Sequence, residues 1–124
     1  MGKGMSDMIL IIGAAAAGKR AFAETLGYRP GDMADACLDD RPVLLNLQDL
    51  VWRDPGHAEA LLPRLLEKEA VLCDEVGSGI IPVDQNDVAA RRAVGRLCIL
   101  LAKRATCVVR VVCGVPTVIK GALR

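Results

Sequence analysis

The chain has 124 residues, 52% of them apolar, and its 16 basic and 15 acidic side chains leave a formal net charge of +1. That length supports one domain with one core. The near-neutral balance provides no bulk attraction to nucleic acid or acidic membranes, and no apolar run approaches the ~20 residues of a spanning helix. Neither a nucleic-acid partner nor a membrane span is expected.

Phe22, Tyr28 and Trp52 are the aromatic residues, so the core must be built from Ala, Val, Leu and Ile. That composition fits helices packed on a buried parallel sheet. Excess apolar character also suggests a surface covered by another subunit. Cys37, Cys73, Cys98, Cys107 and Cys113 are odd in number, contain no C-x-x-C pair and mostly sit in apolar runs. They read as small buried hydrophobes in a reducing cytoplasm. A single histidine and no ligand spacing argue against zinc.

Residues 1–7 read as a disordered lead without an extended apolar signal region, and 8–124 as a single domain. The first apolar run, Met8–Ile12, has strand length and leads into Gly13-Ala14-Ala15-Ala16-Ala17-Gly18-Lys19-Arg20, after which a helix is predicted over Arg20–Leu26. Gly27–Arg41 is irregular and long for a connection inside a compact domain. Strands are predicted at Val43–Leu47 and Ala70–Cys73. Between them Asp54-Pro55 reads as an N-cap and first helical residue for a helix over Gly56–Glu69, which Pro63 should kink or split. Asn86 or Asp87 caps a helix running to about Arg104, with Val94, Leu97, Cys98 and Leu101 at core spacing. Arg91, Arg92, Arg96, Lys103 and Arg104 of that helix read as a solvated face. The β-branched run Thr106–Cys113 is a further strand, ending at Gly114. Apolar strands alternating with helices predict a mostly parallel sheet in a three-layer α/β domain.

Strand, loop and helix around Gly13–Arg20 are the context that gives a G-x-x-x-x-G-K-[ST] pattern its meaning. Backbone N–H groups of such a loop surround phosphate oxygens and the lysine neutralises them. The closing Ser/Thr hydroxyl normally ligates Mg²⁺; here that position is Arg20, which cannot. The octapeptide argues for phosphate binding and against ordinary catalysis at once. On its own it is also compatible with an alanine-rich helix start. Asp74 and Glu75 follow the Ala70–Cys73 strand, where acids can hold Mg²⁺ or its waters beside a phosphate loop.

The motifs resemble those of the bifunctional adenosylcobinamide kinase/adenosylcobinamide-phosphate guanylyltransferase family of cobalamin biosynthesis. Met8–Gly13, Gly18-Lys19 and Phe22-Ala23-Glu24 are similar to the family's opening. The most specific match is Glu75-Val76-Gly77-Ser78-Gly79-Ile80-Ile81-Pro82 against its N-E-V-G-x-G-I-V-P signature. Gly95-Arg96-Leu97 and Cys113-Gly114-Val115-Pro116 with Lys120 resemble its later elements. The resemblance covers roughly residues 8–26 and 42–121 and implies a P-loop NTPase-like domain binding ATP or GTP, with Mg²⁺ and a cobinamide-type acceptor. It also implies a homo-oligomer, usually a trimer.

The departures bear on activity. Arg20 replaces the loop hydroxyl, Asn46 an acid at a strand end, Asp74 an asparagine, Val83 a glutamate, and Cys98-Ile99 an Asn-Gln pair. Of the family's Phe-Arg-Asp only Arg91 persists, within Ala90-Arg91-Arg92. The section that carries the family's guanylylated histidine is largely missing, and the single histidine, His57, lies out of register. A covalent nucleotidyl intermediate therefore has no candidate, and guanylyltransferase activity is expected to be lost. Two readings stand. One is a reduced cobinamide-kinase-like phosphotransferase in which Gly13, Ala14, Ala15, Ala16, Ala17, Gly18, Lys19 and Arg20 hold nucleotide phosphates. In it Lys19 and Glu75 serve catalysis, and Asp74 and Glu75 hold Mg²⁺. The other is a catalytically inactive anion- or nucleotide-binding, oligomeric protein.

Overall fold

The computed structural model describes residues 6–75 and 85–123. Strand β1 (Ser6–Gly13) is followed by helix α1 (Lys19–Thr25), a 3₁₀ turn at Pro30–Asp32, β2 (Met33–Asp35), β3 (Val43–Leu45) and α2 (Leu47–Arg53). A 3₁₀ segment at Pro55–Leu61 leads to α3 (Leu62–Leu65), β4 (Ala70–Asp74), α4 (Gln85–Arg104), β5 (Ala105–Val112) and β6 (Val115–Lys120). The strands form one sheet in the order β2-β3-β4-β1-β5-β6, parallel except for the β5–β6 pair. The expected α/β class with a mostly parallel sheet is observed.

Period-two alternation sends successive side chains of each strand to opposite faces, and both faces are apolar because helices cover both. Met8 and Leu10 of β1, Leu44 of β3, Val71 and Cys73 of β4 and Val108 of β5 pack with α2, α3 and α4. On the other face Ile11, Val43, Leu45, Ala70, Leu72, Cys107, Val109 and Val111 pack with Phe22 and Ala23 of α1. This is why the strands read as continuous aliphatic runs. Val94, Leu97 and Leu101 are fully buried along α4, as their spacing predicts, and Cys98 is half-buried.

Several boundaries differ from expectation. Ser6 and Asp7 belong to β1 rather than to a lead. The strand expected at Val43–Leu47 stops at Leu45 because Asn46 takes a left-handed conformation (φ 58°), which asparagine tolerates, and Leu47 opens α2. The Gly27–Arg41 segment contains β2, a short edge strand paired with β3. The helix expected over Gly56–Glu69 is broken into the 3₁₀ segment and a single turn restarted at Leu62-Pro63. Beyond β5, Cys113 and Gly114 both have positive φ (50° and 78°), the geometry of a tight hairpin turn, and β6 returns antiparallel to the edge. The string Glu75–Pro82 lies, after Glu75, outside the described residues, as does Val83.

Candidate functional site

Register puts the candidate loop and candidate acid side by side. In the parallel β1–β4 pair Gly13 is the partner of Asp74, and the Glu75 N–H donates to Gly13 O at 2.8 Å. On the other side Gly13 lies against β5, where a Cβ would come within 2.5 Å of the Val111 carbonyl oxygen. A side chain there would clash with backbone, so this glycine is required by close approach.

From Gly13 the chain turns through Ala14–Gly18 before α1. Ala17 N–H closes a turn on Ala14 O at 3.1 Å, and Ala16 (φ 60°) and Gly18 (φ 100°) are left-handed. Alanine at φ 60° carries a cost of order 1 kcal/mol that glycine would not. The hairpin turn braces the curve: Gly114 N–H donates to Ala17 O at 2.7 Å, and a Cβ on Gly18 would lie 3.2 Å from Gly114 Cα. The alanines thus form a curved loop instead of extending α1 backwards.

Lys19, in the first turn of α1, points back beneath the loop and is only 8% exposed. Its ammonium donates to Ala14 O at 2.7 Å and Gly13 O at 3.3 Å, and lies 2.7 Å from Asp74 Oδ1. Three donors meet three acceptors, so this buried charge is satisfied. Asp74 continues a polar chain: its N–H donates to Gln48 Oε1 at 2.9 Å, Gln48 Nε2 to Asn46 Oδ1 at 3.2 Å, and Asn46 Nδ2 to Asp35 Oδ1 at 2.7 Å. Loop, β4, α2, β3 and β2 are joined through these contacts at the carboxyl ends of the parallel strands. A cleft of about 450 Å³ opens there, lined by Ala15–Ala21 together with Asp35, Leu45, Asn46, Leu72 and Asp74.

Asp74 and Glu75 separate. One step along an extended chain reverses the side-chain direction, so Asp74 faces the loop while Glu75 faces β5 and α4. Glu75 binds Arg110 through two contacts of 2.6 and 3.1 Å, and this pairing raises the pKa of the Arg110 guanidinium. Arg20 is more than half exposed and reaches Glu24 at 4.0 Å along α1. His57 is exposed on the 3₁₀ segment, with Nδ1 2.9 Å from Asp54 Oδ2, and the hydrogen bond and charge of Asp54 raise its pKa. Of the cationic side chains on α4, Arg96 pairs with Glu59 at 3.4 Å.

Mg²⁺ fits this donor set poorly. Asp74 already accepts Lys19, Glu75 lies on the opposite face, Arg20 brings positive charge, and Asp35 accepts from Asn46. Among the described residues no group of three His, Cys, Asp or Glu side chains is arranged to hold a metal ion. Gln48, Asp35 and Gly114 are site residues that sequence reasoning missed. Asn46 and Gln48 at the strand-to-helix turn were the available signal; Asp35 and Gly114 become neighbours of the cleft only through the sheet order.

The site thus belongs to an α/β protein with a curved loop, a buried lysine and a strand-end acid at the carboxyl ends of the central strands of its sheet. No protein-family profile matches the chain, and a search of curated protein sequences returns no relative. Among the described residues no helix is long and apolar enough to cross a membrane.

Proposed function

We propose that Gly13–Arg20 is a phosphate-binding loop and that the protein binds a nucleotide, ATP or GTP, in the cleft beside it. The observation that carries this reading is Lys19: a buried lysine under a curved loop, held at 2.7 Å by an acid on the adjacent parallel strand. Here its donors are spent on two loop carbonyls and one carboxylate, partners that a phosphate oxygen can replace at similar hydrogen-bond cost. The protein would then be a shortened relative of the adenosylcobinamide kinases, acting in the cytoplasm, with guanylyl transfer lost because His57 stands away from the cleft.

Phosphoryl transfer to a cobinamide-type hydroxyl is the enzymatic form of this reading. The geometry favours the binding form, in which nucleotide or another anion is held without Mg²⁺-dependent transfer, because Arg20 cannot ligate a metal and Glu75 is turned to Arg110 on the opposite face. Isothermal calorimetry with ATP and GTP, each with and without Mg²⁺, tests it. Heat of binding that survives removal of Mg²⁺ and disappears in Lys19→Met is expected; no heat with either nucleotide at millimolar concentration overturns the reading. Arg20→Ser restores a hydroxyl and should make binding more dependent on Mg²⁺. A homo-oligomer, with a trimer favoured, is part of the proposal. Val112, Val115, Val118 and Ile119 expose apolar surface on the β5–β6 hairpin. Pro116 denies that edge a continuous row of N–H donors, so contact through side-chain faces is expected over extension of the sheet. Sedimentation at micromolar concentration checks it; a monomer of 13.2 kDa refutes it.

A further inference from the structure

Cys73 and Cys98 meet across the face of the sheet opposite the loop. Cys73 is the penultimate residue of β4 and buried; Cys98 lies on the core side of α4, half-buried, with its sulfur 3.6 Å from that of Cys73. A disulfide has its sulfurs about 2.05 Å apart, so closure requires roughly 1.5 Å of approach, within reach of side-chain rotation and small shifts of a helix on a strand. The pair is also approachable. A cavity of about 220 Å³, lined by Ile12, Asp74, Glu75, Val94, Gly95 and Cys98, leads to the Cys98 side. Gly95 leaves it open, since a Cβ there would meet no heavy atom within 4 Å. The other thiols differ: Cys37 and Cys113 are exposed, and Cys107 is buried in the core of the opposite face.

We propose that Cys73 and Cys98 form a redox-active dithiol that a hydroperoxide converts to a disulfide joining β4 to α4. Cys98 is the attacking sulfur because it borders the cavity, and its contact with the Cys73 sulfur lowers its pKa. The same contact and burial push the Cys73 thiol up. The Cys98 thiolate attacks one peroxide oxygen, the O–O bond breaks, and the leaving hydroxide takes up the proton that Cys98 released on ionising, giving a sulfenic acid and one water. Cys73 then attacks the Cys98 sulfur, the S–S bond forms, the S–O bond breaks, and a second water carries off the Cys73 proton. Two thiols are oxidised and one peroxide is reduced to two waters. The bond would lie one residue before Asp74, so it would tie down the strand end that holds Lys19. This consequence rests on the phosphate-binding reading; the oxidation itself does not.

The test uses the full chain carrying Cys37→Ser and Cys113→Ser, which removes the exposed thiols and leaves Cys73, Cys98 and Cys107. After treatment with hydrogen peroxide the intact mass should fall by about 2 Da, the two thiol hydrogens. Non-reducing peptide mapping should join the Cys73 and Cys98 peptides, and Cys107 should stay titratable in denaturant. A thiol reductant should restore both thiols. Adding Cys98→Ser should leave Cys73 reduced under the same treatment. Oxygen adducts on Cys98 without a cross-link, pairing through Cys107, or equal oxidation of Cys73 without Cys98 would overturn the proposal. Pyrophosphate binding to reduced and oxidised protein, measured by calorimetry, reads the coupling separately. A shift in affinity supports it, and equal affinities refute the coupling while leaving the dithiol assignment to the mass and mapping results.

Discussion

At the end of β4 the two faces of one sheet make opposite use of adjacent residues. On the α1 face Asp74 holds a lysine 9% exposed, inside a cleft, with every donor of that lysine engaged. On the α4 face Glu75 pairs with an arginine 51% exposed, beside a pair of thiols. Both are acid–base pairs at 2.6–2.7 Å, yet their surroundings give them different weights. A buried ion pair that loses one partner leaves an uncompensated charge, whereas an exposed pair is screened and its loss is small. Short distance alone therefore does not identify the acid that matters to the site.

The largest expected effect separates these two acids. Asp74→Ala should lower unfolding free energy by about 3 kcal/mol, because Lys19 keeps only carbonyl partners. Glu75→Ala should cost below about 1 kcal/mol. Urea denaturation of both variants measures the difference, and equal losses would break the assignment of the two acids to opposite faces. Asp74→Asn combined with Lys19→Met should recover part of the loss, since the buried charge goes with its partner.

Next in size is a pair of glycine substitutions with opposite signs. Gly13→Ala drives a Cβ to 2.5 Å from the Val111 carbonyl oxygen, and the backbone must move; a loss of about 1–3 kcal/mol is expected. Gly95→Ala lies within α4 with open space around the added carbon, and a gain of up to about 1 kcal/mol is expected from helix propensity. Thermal melts of the two variants should move in opposite directions. A destabilised Gly95→Ala would mean that the cavity beside Cys98 is more tightly enclosed than its geometry indicates.

The smallest effect is a titration. Partial burial pushes the Tyr28 phenol up to about 12, helped by its hydrogen bond to Glu69. Because the folded value is raised, this contribution to stability is present below the ordinary tyrosine pKa of ~10 and is lost as pH rises through about 12. The chain has a single tyrosine, so alkaline difference absorbance reads it directly. A midpoint near 10 would show that the Tyr28–Glu69 contact does not persist in solution, and Glu69→Gln should bring the midpoint down.

Much of this architecture was legible because burial on both faces writes itself as uninterrupted aliphatic runs. Met8–Ile12, Ala70–Cys73 and the run after Ala105 are apolar runs of strand length, and the α4 spacing of Val94, Leu97 and Leu101 admits one core face. Short elements were less legible. β2 has only three residues and gains its ladder from β3. The strand expected through Leu47 ends early because one asparagine takes a left-handed turn, a choice that apolar periodicity does not record. β6 was hidden because an edge strand exposed on both faces carries no burial pattern.

The class of the fold, the position of the loop and the presence of a lysine and acids at its margins follow from local run length, glycine placement and residue chemistry. Tertiary structure decided which of them meet. The β1–β4 register set Gly13 against Asp74, and strand alternation gave Asp74 to Lys19 and Glu75 to Arg110. The strand order brought Asp35, Asn46 and Gln48 into one chain of hydrogen bonds, and α4 set Cys98 over Cys73. Contacts between residues far apart in the chain depend on sheet order and on the angle at which helices lie across it. Those are global packing solutions, and no local stretch of sequence carries them.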